Sequence, residues 1–334
     1  VYLASASLEK IAQGGSVIVG KDIALNTTGD TVNGGLIQAT NSLTINADNI
    51  FNTFGSMQGQ TVALAATDSI ANTSGHISGG DVTLAAGKNI TVGTATTTFA
   101  SSDTTSAVAN QRGSITSTGA LTMAAGDTLA LVGADVSAGG SANLSAGKDV
   151  IVTAQQTTSH TATSGTGFRF SSSRVDNQAA TVTSGGALTV AAGQDVLING
   201  STVQAGGDAT LERGSQTTNV ASQVTSGGTL SAQAGKAGTG DLVVAGSKLA
   251  SGDKMLLKAV DELVIASAQN TSTSSYSSSN KGTWSSKTLD KTANSSSVVK
   301  SELKSGDDMS LVDLQVVEHG DVQLAQGEDH HIDG

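Results

Sequence analysis

Four aspartates, Asp22, Asp68, Asp149 and Asp195, each stand just ahead of a short apolar run, beside Gly, Lys, Gln or Thr. Carboxylates repeated along one outer face of a β protein are the equipment of a polysaccharide-cleaving enzyme. One carboxyl protonates the leaving oxygen, a second serves as base or nucleophile about 5–9 Å away, and one pKa is displaced. An aspartate at a chain corner has a simpler use, accepting hydrogen bonds from nearby backbone N–H groups, and the recurrent placement favours that reading. In "EDHHIDG", residues 328–334, His330 and His331 sit beside three carboxylates. Adjacent strand residues point to opposite faces, so the two imidazoles would not share a metal. His76, His160 and His319 are isolated, and there is no cysteine. Neither a P-loop nor G-x-S-x-G occurs, and "GGD" at 79–81 and 206–208 does not extend to a calcium-binding G-G-x-G-x-D repeat. No catalytic residue, cofactor or metal is therefore expected.

Two other groups of residues stand out. Asn26, Asn52 and Asn72 open the recurrent N-T-x-G of "NTTG" (26–29), "NTFG" (52–55) and "NTSG" (72–75). They are expected to form a ladder in stacked turns, each side-chain amide bonding to the one above. Of the eight aromatic residues, Phe99, Phe168, Phe170, Tyr276 and Trp284 fall in Ser/Thr-rich stretches, where a linker would not need them. They are candidates for an interaction surface, and Phe168 and Phe170, at i and i+2, would share one face of a strand.

The elements that must position these residues follow from a repeat. "GGDVTLAAGKNITV" (79–92) returns as "GGALTVAAGQDVLI" (185–198), and Ile50, Ile70 and Ile90 recur at a constant interval. Within a unit the alternation is that of a strand: Val82 and Leu84 point one way with Thr83 opposite, and Ile90 and Val92 one way with Thr91 opposite. "AAGKN" makes the corner between them, and a third short strand, such as "HIS" at 76–78, completes a lap of about 20 residues. Hairpins would invert the order between neighbouring units, whereas a coil sets each residue over its equivalent. Like does recur over like, as in Leu64 and Leu84, Ile70 and Ile90, Gly59 and Gly79.

The expected fold is all-β: a right-handed parallel β-helix with Ser/Thr-rich excursions. Its composition suits a thin aliphatic core, since aromatics are only 2% and charged residues 13% of the chain. Proline is absent, as expected where almost every strand is paired on both sides. The period is interrupted at 94–117, 153–184, 215–226 and 267–305, which are read as surface excursions, some of them hairpins. A net charge of −11 without a Lys/Arg cluster excludes nucleic acid as a partner. The opening "VYLASASLEK" has no signal-peptide pattern and no window has 18 apolar residues, so the sequence reads as a soluble piece of a longer chain.

These residues resemble the haemagglutinin repeats of filamentous-haemagglutinin-like exoproteins, including the CdiA-type effectors of contact-dependent growth inhibition. Residues 1–93, with the N-T-x-G series, resemble coils of the first repeat class. Residues 94–334, with "AGGDATL", "SAGKDVIV" and "SELKSGDDMSLV", resemble the second. The resemblance implies a parallel β-helix, an outer-membrane secretion partner and display on a Gram-negative cell surface, with a target-cell surface or outer membrane as the further partner. The V-E-N-N junction that precedes toxin domains in such proteins does not occur here. The expected role is a non-catalytic stalk or adhesin that presents or delivers other domains in cell–cell contact. The alternatives are an outer-membrane translocation module, which would associate with outer-membrane vesicles, and a polysaccharide-acting enzyme, which would release reducing sugars.

Overall fold

The computed structural model describes residues 16–165, 168–213, 222–235, 241–281, 286–315 and 323–325. The described residues contain strands and no helix, and they wind into a parallel β-solenoid of about 11 turns with a spacing of about 21 residues per coil. At about 4.8 Å per turn the rod is roughly 50 Å long.

Each full lap contributes to three columns of strands. The first column stacks Ser114–Ser117, Asp135–Ala138, Thr181–Ser184, Thr202–Ala205, Gln223–Ser226, Lys248–Ser251 and Glu302–Ser305, every neighbour parallel and in register. The second runs through Leu121–Ala125, Ala142–Ala146, Leu188–Ala192 and Ala209–Arg213, and the third through Ile90–Gly93, Leu129–Val132, Val150–Thr153 and Val196–Asn199. In the earlier laps the chain turns its corners without leaving the sheet, as in the continuous strands Leu36–Thr53 and Ser56–Thr73. Leu64 pairs with Leu84, Gly59 with Gly79 and Ile70 with Ile90.

Period-two alternation sends one aliphatic set inward. Ile77, Ile115, Val136 and Val182 stack in the first column, Leu84, Met123, Leu144 and Val190 in the second, Ile90, Leu129 and Val150 in the third, and all are buried. No aromatic residue is among the buried core residues described. The channel inside three short walls is too narrow for rings on every lap, and aliphatic side chains fill it at native density.

The excursions are shorter than their Ser/Thr content suggests. Ser114–Ser117, Thr181–Ser184, Gln223–Ser226 and Glu302–Ser305 each close one of the segments read as interruptions, yet all four are first-column strands. Each carries among polar residues a single inward aliphatic side chain, Ile115, Val182, Val224 or Leu303, at most 3% exposed. One apolar residue per short strand is a weak periodic signal, although sufficient for a narrow core. Around 215–226 the span from Arg213 to Gln223 equals that from Ala192 to Thr202. Residues 214–221 lie outside the described residues.

Three hairpins remain as true extrusions. They are Thr96–Ala100 with Thr104–Ala109, Gln155–Gly165 with Phe168–Gln178, and Ala268–Lys281 with Ser286–Val299. All three leave at the corner between the third and first columns, and they join side by side into a second, six-stranded antiparallel sheet.

Candidate functional surfaces: internal ladders and the hairpin sheet

Polar side chains stacked lap over lap hold the corners. Asn33 donates through Nδ2 to Oδ1 of Asn52 at 2.8 Å, and Asn52 donates likewise to Asn72 at 2.7 Å. Asn72 ends the series by donating to the carbonyl of Ser114 at 3.0 Å. Asn52 and Asn72 also bond to the carbonyls of Gly55 and Gly75 in their own N-T-x-G turns, both at 3.1 Å. These turns place Phe54 and Ser74 at positive φ, 56° and 50°. A Cβ on Gly55 or Gly75 would collide with the ladder amides, which accounts for the final residue of the motif.

Asn26 does not join this stack. It closes a second-column strand and accepts a bond from Asn46 at 2.6 Å on the exposed outside. Asn33 takes the place that the motif assigned to Asn26. Subtracting one lap from Asn52 lands near residue 33, so lap length was the better guide than the repeated tetrapeptide.

A serine column takes over in later laps. The backbone N–H of Ser201 donates to Oγ of Ser222 at 3.4 Å, that of Ser222 to Ser247 at 3.1 Å, and that of Ser247 to Ser301 at 3.3 Å. The hydroxyls of Ser201, Ser222 and Ser247 donate in turn to the carbonyls of Asn199, Ile198 and Ala245. Their recurrence one residue ahead of each first-column strand was the available sequence signal, hidden by the abundance of serine elsewhere.

The four aspartates take corner positions. Asp22 accepts bonds from Ser42 at 2.7 Å and Asn41 at 2.6 Å, and these hold its carboxyl below the usual value. Asp68 accepts from Lys88 at 2.7 Å and from Ser69 at 3.0 Å and is lowered likewise, while the same contact raises Lys88. A general acid needs a shift in the opposite direction. Asp149 accepts the backbone N–H of Asp195 at 3.2 Å from the next lap. Asp68, Lys88, Asp127 and Lys148 form one outer column, each backbone bonded to the next and closed by ion pairs of 2.7 Å and 2.9 Å. Alternating charge at this spacing disfavours a slip of one lap.

His76 bonds through Nδ1 to Ser114 Oγ at 2.8 Å, and burial lowers its pKa. His160 is exposed on the second hairpin. His319, His330 and His331 lie outside the described residues, among which no cluster of three or more His, Asp and Glu suited to a metal occurs.

The titrating groups set the expected pH dependence. The folded value of His76 lies below 6.5, so its lap loses stability as pH falls from 6.5 through that lowered value. Asp22 and Asp68, depressed below 3.8, contribute stability that is complete above 3.8 and lost as pH falls through their folded values. Both carboxylates are at the surface, so their effect is small and salt-screened. Thermal melting of the parent chain is expected to weaken from pH 6.5 downward, and His76→Asn should remove the first part of that fall.

The hairpin sheet gathers the predicted aromatics. Phe99 pairs with Ser106, Ser106 with Ser159, and Ser159 with Arg174. Alternation along Phe168–Gln178 puts Phe168 and Phe170 on the face of Arg174, and Phe168 pairs with Ser278, two residues from Tyr276. Register therefore puts positions 99, 168, 170 and 276 at the same strand parity in the sheet. Phe99 is 61% exposed. Trp284 lies outside the described residues. The six strands contain five Lys/Arg, at 169, 174, 281, 287 and 291, against two Asp, at 176 and 290, whereas the chain as a whole is acidic.

A family model described as Hemagglutinin repeat matches residues 4–167 and 212–334, and a second, described as Haemagglutinin repeat, matches residues 136–234. No curated protein and no solved structure matches the chain.

Proposed function

From the premise that this chain belongs to the haemagglutinin-repeat family, we propose that it is a non-catalytic stalk of a secreted, surface-displayed exoprotein and that its hairpin sheet is the adhesive contact face. The family fits an adhesin-type repeat region exported by two-partner secretion. Export through an outer-membrane partner and display on a Gram-negative surface are the finer parts of the proposal. So are the division into two repeat classes near residue 93 and the ladder role of the asparagines.

The observation that supports the adhesive reading is the register, which sets positions 99, 168, 170 and 276, all aromatic, at the same strand parity in the hairpin sheet. A solenoid lap adds reach, and its aliphatic side chains are spent on the core. Rings on an extruded sheet add nothing to that core, and ring faces flanked by hydroxyls and a few cations suit an anionic, glycan-bearing surface. The excess of Lys and Arg on an otherwise acidic rod points the same way, because like charge elsewhere keeps the rod itself off such a surface.

The test is adhesion of particles coated with the chain to a panel of bacterial cells. Replacing Phe99, Phe168, Phe170 and Tyr276 together by Ser is expected to lower retention at least about tenfold, the loss of some 1.4 kcal/mol or more. The melting temperature should stay near that of the parent. Retention unchanged in a variant that melts normally would refute the contact face.

A further inference from the structure

The three hairpins share one exit corner, so the laps between them set their spacing. From Ser114–Ser117 to Thr181–Ser184, the first-column strands that follow the first two hairpins, there are two lap steps, through Asp135–Ala138. A lap step and the spacing of paired strands are the same length, about 4.8 Å. Two laps of rod therefore match the width of one two-stranded hairpin. The second hairpin accordingly stands next to the first, one strand spacing away at the foot, and Ser159, His160 and Thr161 pair with Ser106, Thr105 and Thr104 near the tip of the first.

From the second hairpin to the third the count is different. Thr181–Ser184, Thr202–Ala205, Gln223–Ser226, Lys248–Ser251 and Glu302–Ser305 make four steps, the width of two hairpins, and one hairpin stands there. At their feet the return strand of the second hairpin, Phe168–Gln178, and the outgoing strand of the third, Ala268–Lys281, are thus about three spacings apart, roughly 14 Å. Toward their far ends they converge and pair through Phe168 with Ser278 and Arg169 with Ser277. Below that contact the facing edges, residues 170–178 and 268–276, make no strand pairing with each other.

The opening also appears at its base. A cavity of about 410 Å³ lies between Ala179 at one foot and Val299 at the other, over a floor that includes Ser201, Ser222 and Ser247. Gly200 and Gly246, at φ of 58° and 54°, let two of the intervening laps turn tightly there.

We infer that this opening is a vacancy for one β-hairpin, filled by a hairpin of a second copy of the chain. Two antiparallel strands restore the spacing, and their number preserves the up–down alternation from Phe168–Gln178 to Ala268–Lys281. Main-chain groups along both edges supply the hydrogen bonds, as in strand addition to an exposed edge. A second copy carries hairpins of matching Ser/Thr character and length. It enters turn first, the turn reaching the cavity at the base, so that the two rods need not overlap. The two residue pairs that close the far end must part to admit it.

The chain has no cysteine, so introduced pairs can measure the gap. Disulfides form only where Cα atoms approach within about 7 Å. Under a mild oxidant Arg169→Cys with Ser277→Cys should close within one chain, whereas Gln178→Cys with Ala268→Cys, on the same register at the feet, should not. Closure of both pairs would mean that the edges zip to the base, and would remove the vacancy. Sedimentation of the parent chain should show a concentration-dependent dimer. Oxidised Arg169→Cys/Ser277→Cys should lack that dimer, and reduction should restore it. A chain that stays monomeric at every concentration, or a dimer indifferent to the lock, overturns the inference.

Discussion

Asn52→Ala is expected to destabilise the early laps by about 3 kcal/mol, a large effect for a change that removes only an amide. Asn52 is the middle of its ladder, receiving from Asn33 and donating to Asn72. Its loss leaves a donor on Asn33 and an acceptor on Asn72 short of partners in a site where Asn52 and Asn72 are at most 1% exposed. Each buried group left unsatisfied costs about 1–3 kcal/mol, although Asn33 retains contacts with the carbonyls of Gly35 and Ser56. Asn26→Ala should change little, because Asn26 and Asn46 bond on the exposed face. Hydrogen exchange reads the difference lap by lap. Solenoid stability is close to a sum of neighbouring terms, so amides in 31–93 should exchange faster while those in 135–205 keep their protection. Equal effects from Asn26→Ala and Asn52→Ala would show that the ladder is not what holds this corner.

Gly147→Ala should cost about 2–3 kcal/mol, the range of an overpacked core, although Gly147 faces solvent. The restriction is one of space. Gly126, Gly147 and Gly193 stack at the corner between the second and third columns, and a Cβ on Gly147 would overlap the carbonyl of Gly126 one lap earlier. Gly193 stands in the same relation to the carbonyl of Gly147. Backbone on both sides cannot move aside without parting laps whose N–H groups bond across the corner, Gly147 to Ala125 and Gly193 to Ala146, both at 3.0 Å. The nearby outward residue Asn143 offers the control, since Asn143→Ala meets open solvent and should fall within about 0.5 kcal/mol of the parent. Urea melts of the two variants separate a packing defect from a general sensitivity of this lap.

Much of the fold is legible because it is local and repeated. Inward Leu64 and Leu84, or Ile70 and Ile90, declare both the strand and the lap, since alternation fixes the face and the constant interval fixes the stack. The aromatic residues of the excursions were also visible as unexplained by a core. Legibility fails where a residue type is common or a motif recurs out of phase. "NTTG" at 26–29 copies the tetrapeptide of the ladder turns and occupies a different corner. Ser201, Ser222 and Ser247 are lost among the other serines of the chain, and one inward Ile or Val in "SITS" or "TVTS" is too faint to mark a strand.

By itself the sequence determined the solenoid, its aliphatic channel and the family resemblance, because each rests on side-chain alternation and on equivalence between successive laps, which need no long-range information. Only the tertiary structure decided that Asn33 rather than Asn26 continues the ladder, and that three hairpins far apart in sequence form one sheet. Those outcomes depend on how many laps lie between two points, measured against the spacing of hydrogen-bonded strands. The laps and the sheet share that spacing, so hairpins two laps apart meet and hairpins four laps apart leave a gap.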